Sequence, residues 1–315
     1  MDCSKEELYY FEGDLIELKN YPNLKELEIV NDEFNEELKN LPECLKVLKI
    51  TSNSFNQKLE NLPECLKVLK IIECNSFNQK LENLPESLEI LEIYCNNFNQ
   101  KLDNLPLGLK VLKISCFEFN KKLDNLPVGL EVLKILSNNF DQELKKLPVG
   151  LEILQIWCFN FDQELKNLPD GLKKLEIYCD NFNQELDNLP EGLEVLKIKC
   201  YNFNQELNNL PDGLKKLEMA GCDSFNQKLN NLPVGLDELE IWCFNFNQEL
   251  NNLPEGLEIL IIHCKNFNQE LKNLPLSLKK LYIDSKYLDY YSLEEVLGMI
   301  PLGCELYVDG EKIDL

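Results

Sequence analysis

A mainly β repeat solenoid is the fold class this sequence predicts, and three observations predict it. Phenylalanine recurs twelve times from Phe34 to Phe267 in steps of 21 residues, with two steps of 22 that end at Phe77 and Phe225. Twelve prolines from Pro42 to Pro275 keep the same step. Within each unit apolar residues alternate, as in Leu91, Ile93 and Cys95, which is the period of a strand with one face inward.

The elements follow in order. Residues 1–23 are expected to form an amino-terminal cap, in which Leu18-Lys19-Asn20-Tyr21-Pro22 is a degenerate echo of Leu38-Lys39-Asn40-Leu41-Pro42. Residues 24–288 read as about thirteen repeats, each with one short strand, the first within 24–31 and the last within 278–285. Pro-x-Gly, as in Pro106-Leu107-Gly108, suits a type I turn with proline at the second position and glycine at the fourth. Cys44, Cys65, Ser87 and Ser277 also occupy the glycine slot, so a positive φ is not required there. A 21-residue unit leaves little room for a helix on the return, and extended or 3₁₀ turns with inward Phe, Leu and Leu are expected. One such unit buries too little to fold alone, so its stability comes from stacking on its neighbours. Residues 289–315 read as a carboxy-terminal cap. Ser292-Leu293-Glu294-Glu295 is a capping box that opens a short helix, and Asp309-Gly310 joins two strands of a hairpin.

The string Leu-x-x-Leu-x-Ile at this period is the signature of leucine-rich repeats. The expected architecture is therefore a curved leucine-rich-repeat array, with a parallel β-sheet on the concave face and extended or 3₁₀ turns on the convex side.

Composition narrows the function. The net charge is −23, from 55 acidic residues against 32 basic ones, and all 32 are lysine. Phosphate and base recognition lean on arginine's planar fork, so neither nucleic acid nor an anionic membrane is an expected partner. No segment nears the ~20 apolar residues of a membrane span. The start, Met1-Asp2-Cys3-Ser4-Lys5, lacks the apolar core of a signal peptide, so a cytoplasmic, reducing location and a monomer are expected.

Catalytic and metal chemistry find few parts. Cys74, Cys95, Cys116, Cys158, Cys179, Cys200, Cys222, Cys243 and Cys264 share one inward slot, with Ser52, Ser137 and Ser285 as substitutes. No Cys-x-x-Cys occurs, and the total of thirteen is odd, so a buried ladder of reduced thiols is expected and neither metal nor cofactor. His263, the single histidine, adjoins Cys264, but neighbours on a strand face opposite sides. The carboxylates fall in repeating columns such as Glu143, Glu164 and Glu185, and no unique pair stands out. No catalytic residue is assigned.

The run Phe-Asn/Asp-Gln-x-Leu-x-Asn-Leu-Pro-x-x-Leu-x-x-Leu resembles the FNIP repeat, a leucine-rich-repeat variant abundant in social amoebae and in giant viruses of amoebae. The resemblance covers about residues 24–288. It implies a protein-interaction module, joined in some members to an F-box that recruits a ubiquitin ligase. About twenty residues precede the first strand, too few for an F-box, so a ligase role here would run through a partner. The Leu-Pro-x-x-Leu-x-x-Leu portion also resembles repeats of secreted bacterial effectors, but the Phe-Asn-Gln portion fits FNIP better.

Positions that vary between uniform units carry the remaining information. Outward strand positions form columns on the concave face, and large aromatics crowd two of them. Tyr94, Trp157, Tyr178, Trp242 and His263 fall in one column, and Phe117, Phe159, Tyr201 and Phe244 lie two residues further on. Exposed, contiguous aromatics mark binding sites on soluble proteins. The expected function is a non-enzymatic scaffold that binds a protein or peptide on this face. The alternatives are a ligase substrate receptor acting through a partner, and an enzyme whose site the sequence does not display.

Overall fold

A computed structural model describes residues 7–8 and 15–314, and these divide between two compact units, Met1–Phe159 and Asn160–Leu315. Cys3 and the charged start of the chain lie outside the described residues.

The first unit is a parallel sheet of one strand per repeat. Its strands are β1 (Glu7–Leu8), β2 (Glu26–Val30), β3 (Val47–Thr51), β4 (Val68–Ile72), β5 (Ile90–Tyr94), β6 (Val111–Ser115), β7 (Val132–Leu136) and β8 (Ile153–Trp157). Each pairs with the next in register, Leu48 opposite Leu69 and Leu69 opposite Leu91, so an inserted residue is absorbed outside the strand. A 3₁₀ turn, Leu15–Asn20, precedes β2 and buries Leu15 and Leu18.

The second unit repeats the plan. It comprises β9 (Lys174–Tyr178), β10 (Val195–Ile198), β11 (Lys216–Ala220), β12 (Glu238–Trp242), β13 (Ile259–Ile262), β14 (Lys280–Ile283), β15 (Glu305–Val308) and β16 (Glu311–Lys312). Pairing is parallel from β9 to β15 and antiparallel between β15 and β16. A 3₁₀ turn, Ser285–Asp289, and helix α1, Leu293–Met299, lie between β14 and β15. The Ser292 hydroxyl accepts from Glu295 N, and the Glu295 carboxylate accepts from Ser292 N at 2.7 Å, a complete capping box. Asp309 and Gly310 turn the hairpin with φ of 48° and 86°, the two left-handed residues of a type I′ turn.

Three ladders hold the rungs together. The repeat phenylalanines stack nearly parallel, with centroids 5.7–6.1 Å apart in the first unit, as between Phe77 and Phe98. In the second unit the stack ends when Phe267 meets Tyr287 at 5.6 Å, and the Tyr287 hydroxyl donates to Gln269 O at 2.9 Å. Beside the rings runs an amide ladder. Asn56 N donates to Asn35 Oδ1 at 2.9 Å, Asn78 N to Asn56 Oδ1 at 3.0 Å, and Asn99 N to Asn78 Oδ1 at 3.0 Å. The second unit continues the pattern, with Asn183 N donating to Asp162 Oδ1 at 2.9 Å. Phe-Asn-Gln is thus a rung connector: the ring fills the core while the amide caps the next rung's N–H. The third ladder is thiol. Cys116 Sγ lies 3.5 Å from Ile93 O, Cys264 Sγ 3.2 Å from Ile241 O, and the sulfurs of Cys95 and Cys116 are 3.5 Å apart. Ser52 and Ser137, which replace cysteine, keep a bond to the preceding rung, Ser52 Oγ donating to Phe34 O and Ser137 Oγ to Phe119 O, both at 2.8 Å, whereas Ser285 is exposed rather than inward.

The proline turn differs from expectation in register. Leu109 N donates to Pro106 O at 3.1 Å, and every described unit repeats this bond, so proline stands first and glycine third. Proline at the first place supplies only its carbonyl, which leaves its missing N–H harmless. Glycine is there for space. A Cβ on Gly108 would sit 3.0 Å from Glu86 O on the rung before, and one on Gly213 would sit 2.6 Å from Glu191 O. Ser87 uses that proximity by donating its hydroxyl to Leu66 O at 2.7 Å. Left-handed backbone falls two residues before the proline, at Asn40, Asn61, Asn83 and Asn104 in the first unit and at Asn188 and Asn273 in the second. Asparagine tolerates that conformation better than most side chains, which suits it to these six positions, although Asn125, Asn167, Asn209, Asn231 and Asn252 precede Leu-Pro without a positive φ.

Candidate functional site

Leucine and isoleucine on each strand point inward and anchor it, so the residues between them must face away from the core. Along β6 the pattern is half-buried Val111, buried Leu112, half-buried Lys113, buried Ile114 and half-buried Ser115. The variable side chains therefore lie on the outer strand face of each unit.

In the first unit this face carries a lysine–glutamate column down its middle. Glu92 is only 6% exposed although it points outward, because Lys70 Nζ at 3.3 Å and Lys113 Nζ at 2.8 Å close over it. Burial alone would raise its carboxyl, but the Lys113 and Lys70 contacts outweigh that and hold it below the ordinary glutamate value. Tyr94, beside it, is half-buried, and its hydroxyl is pushed up by burial and by the Glu92 charge. Phe117 and Phe159 are 54% and 58% exposed on rungs separated by the rung of Asn138, so they do not stack on each other. Trp157, at the end of β8, is 44% exposed.

The second unit presents a denser arrangement. Tyr178 is half-buried, and burial followed by the Glu176 and Glu218 charges pushes its hydroxyl up to about 12. Tyr201 is exposed. Trp242 and His263 come together, with centroids 4.1 Å apart and planes 29° apart. The Trp242 indole N–H donates to Glu240 Oε2 at 3.2 Å. Lys216 Nζ binds Glu240 Oε1 and Glu238 Oε1, the latter at 3.1 Å. Phe244 carries Lys265 Nζ at 4.9 Å from its ring centroid, a cation–π contact. His263 has its pKa lowered by burial, against the pull of Asp284, Asp309 and Glu240. Its neighbour Cys264 is buried on the opposite face, with its thiol pushed up to about 12 by burial. The two do not form a pair.

Sequence reasoning missed two features. One is the near-complete burial of Glu92 and Glu176 at outward positions, Glu92 beneath lysines of the adjacent rungs and Glu176 against Lys174 of its own strand. The other is an exposed apolar line on the turn edge of the first unit, Leu107, Val128 and Val149, each at least 63% exposed. Its signal was present: this slot between proline and glycine holds Glu in three preceding repeats. The grooves on the Phe-Asn-Gln side are polar, lined in one case by Glu185, Asp187, Asn204 and Glu206. Among the described residues no three His, Cys, Asp or Glu side chains are grouped to hold a metal ion, and no helix is long and apolar enough to cross a membrane.

Comparison with known proteins places these observations. The FNIP Repeat family matches residues 159–201 and 182–222. Among solved structures, CroV588, described as a novel circular LRR protein, is 36% identical over 91% of this chain with a TM-score of 0.77. The match covers 44% of CroV588, so this chain spans less than half the length of that protein. YopM from Yersinia enterocolitica WA-314 is 24% identical with a TM-score of 0.46, over 84% of this chain and 60% of its own. The Leptospira interrogans LRR protein LIC12759 is 18% identical with a TM-score of 0.42, over 91% of both chains. No curated protein matches the sequence significantly.

Proposed function

We propose that this chain, which is similar to leucine-rich-repeat proteins and to the FNIP repeat, is a binding scaffold whose outer strand face docks a protein or peptide, without catalysis of its own. One observation carries this reading: Phe117, Trp157 and Phe159 in the first unit, and Tyr201, Trp242 and Phe244 in the second, expose 41–58% of their surface on a face already fixed by ladders. Aromatic anchors on rigid supports bury apolar area with little loss of side-chain freedom, while the flanking Lys and Glu select the partner. A reducing compartment suits the buried thiol ladder, and a monomer leaves the face open.

The test is proximity labelling in the native cell with the wild-type chain and two triple variants. One carries Phe117→Ala, Trp157→Ala and Phe159→Ala, and the other Tyr201→Ala, Trp242→Ala and Phe244→Ala. Neighbours that vanish with either variant, while circular dichroism shows an unchanged fold, support the reading. Identical neighbour lists for all three proteins would overturn it.

A further inference from the structure

The surroundings of Trp242 narrow the chemistry of the partner, and this inference rests on the docking role proposed above. The indole closes β12 and is fixed on two sides: Glu240 accepts its N–H at 3.2 Å, and His263 of the following rung covers one ring face at 4.1 Å. On the other side the strand register sets Trp242 opposite Ala220 of β11. A methyl group covers little of an indole, and Trp242 remains 42% exposed. Gly221 follows with φ 61°, and a Cβ built there would meet only the Lys199 stem, at 3.8 Å. The second face of the indole thus borders a slot, with the stem of the exposed Lys199 beyond it.

Charge marks what the slot would hold. Glu218 and Glu240 stand opposite each other in the register, directly before Ala220 and Trp242 on the outer face. Glu218 binds Lys197 at 2.5 Å, and Lys216 is shared among Glu218, Glu238 and Glu240. Three carboxylates therefore meet Lys197 and Lys216 here, and with Lys199 at the slot wall the local charges balance, so the pull on a cation comes from the Glu218 and Glu240 oxygens beside the ring and from the charge of the unit. The whole unit leans the same way, with 28 acidic residues against 14 lysines between 160 and 315, a net of −14. An open aromatic face next to carboxylates, on a unit of net negative charge, is the environment that favours a planar cation. The chain itself contains no arginine, and a second copy carrying a charge of −23 would be repelled, so the occupant belongs to another protein.

We propose that the slot between Lys199 and Trp242 seats the guanidinium of an arginine from a basic segment of a partner protein, stacked on the open indole face and drawn by Glu218 and Glu240. Arginine fits better than lysine because its plane lies flat on the ring while its edge reaches carboxylates.

The probe is a fluorescein-labelled peptide of alternating glycine and arginine, titrated by anisotropy into the full chain, beside the same peptide with citrulline in place of arginine. Ala220→Leu fills the slot but leaves the indole and every charge in place, and leucine already stands in this column at Leu136. The expected result is that Ala220→Leu and Trp242→Ala each weaken arginine-peptide binding about tenfold, with Val149→Ala on the turn edge unchanged and the citrulline peptide weaker still. Circular dichroism verifies that the variants are folded. Equal binding by wild type and Ala220→Leu would reduce the interaction to diffuse attraction by an acidic surface and overturn the proposal, as would no binding of the arginine peptide. If aromatic-dependent neighbours are found in cells while the peptide experiment fails, the scaffold reading stands and the arginine seat falls.

Discussion

Replacing Asn56 with alanine tests whether the amide ladder is a structural device or an accident of composition. The Asn56 side-chain oxygen accepts two bonds, from Asn78 N at 3.0 Å and from Gln79 Nε2 at 3.1 Å. Gln79 keeps a second acceptor, the main-chain oxygen of Asn56 at 2.9 Å, so its loss is partial. Asn78 N has its acceptor on the neighbouring rung and loses it outright. One net amide bond is worth about 1 kcal/mol and a half-lost one adds less, so Asn56→Ala should cost about 1.5 kcal/mol. Asn56→Asp keeps the acceptor, and Asp162 already plays that part toward Asn183 at 2.9 Å, so it should cost under about 0.5 kcal/mol. Urea unfolding followed by circular dichroism measures both, with an unchanged m-value as the control on the unfolded state. Amide exchange reads the site itself: the Asn78 N–H should exchange about tenfold faster in Asn56→Ala. Equal losses for alanine and aspartate, or an unaltered Asn78 amide, would refute the reasoning.

Iodoacetamide on the folded protein should alkylate Cys44 and Cys65, which are exposed, and spare Cys74 and Cys264, whose thiols burial pushes up to about 12; peptide mapping that finds Cys264 modified as fast as Cys44 would contradict this. Glycine-to-alanine changes in the turn slot should destabilise in the order Gly213, Gly108, Gly129, because the added Cβ would meet a carbonyl at 2.6, 3.0 and 3.5 Å, with about 1–2 kcal/mol at Gly213 and little at Gly129 by urea titration. Glu92→Gln should lower stability at neutral pH. Because the folded Glu92 carboxyl lies below its ordinary value of 4.5, its contribution is present above that pH and lost as the pH falls through the folded value. The stability gap between wild type and variant should therefore narrow as the pH falls below 4.5, and a gap that does not narrow at all on acidification would show that the lysine contacts are not its source.

The strand-per-repeat plan was legible because period alone carries it. An alternation such as Leu91, Ile93, Cys95 decides which side of a sheet each residue takes, whatever lies beside it. The thirteen repeat strands β2 to β14, the inward phenylalanines, the Ser292 capping box and the Asp309-Gly310 hairpin all follow from residues near in sequence. The same alternation put Phe117, Trp157 and Trp242 outside, where they are exposed, but it also put Tyr94 and Tyr178 there, and these are half-buried. Their neighbours fold down beside them, Glu92 beneath Lys70 and Lys113 of the adjacent rungs and Glu176 against Lys174 of its own strand.

What the sequence by itself determined is therefore everything governed by a residue's own strand: the repeat, the face and the ends. Only the tertiary structure decided what residues 21 or 22 positions apart do to each other. It made the glycine a matter of clearance from the preceding rung's carbonyl rather than of turn type, gave the Phe-Asn-Gln asparagine its acceptor role, and set Trp242 between His263 and the small Ala220. The physical reason is that local sequence fixes direction through backbone geometry, whereas contact distance between rungs is set by how the whole stack packs.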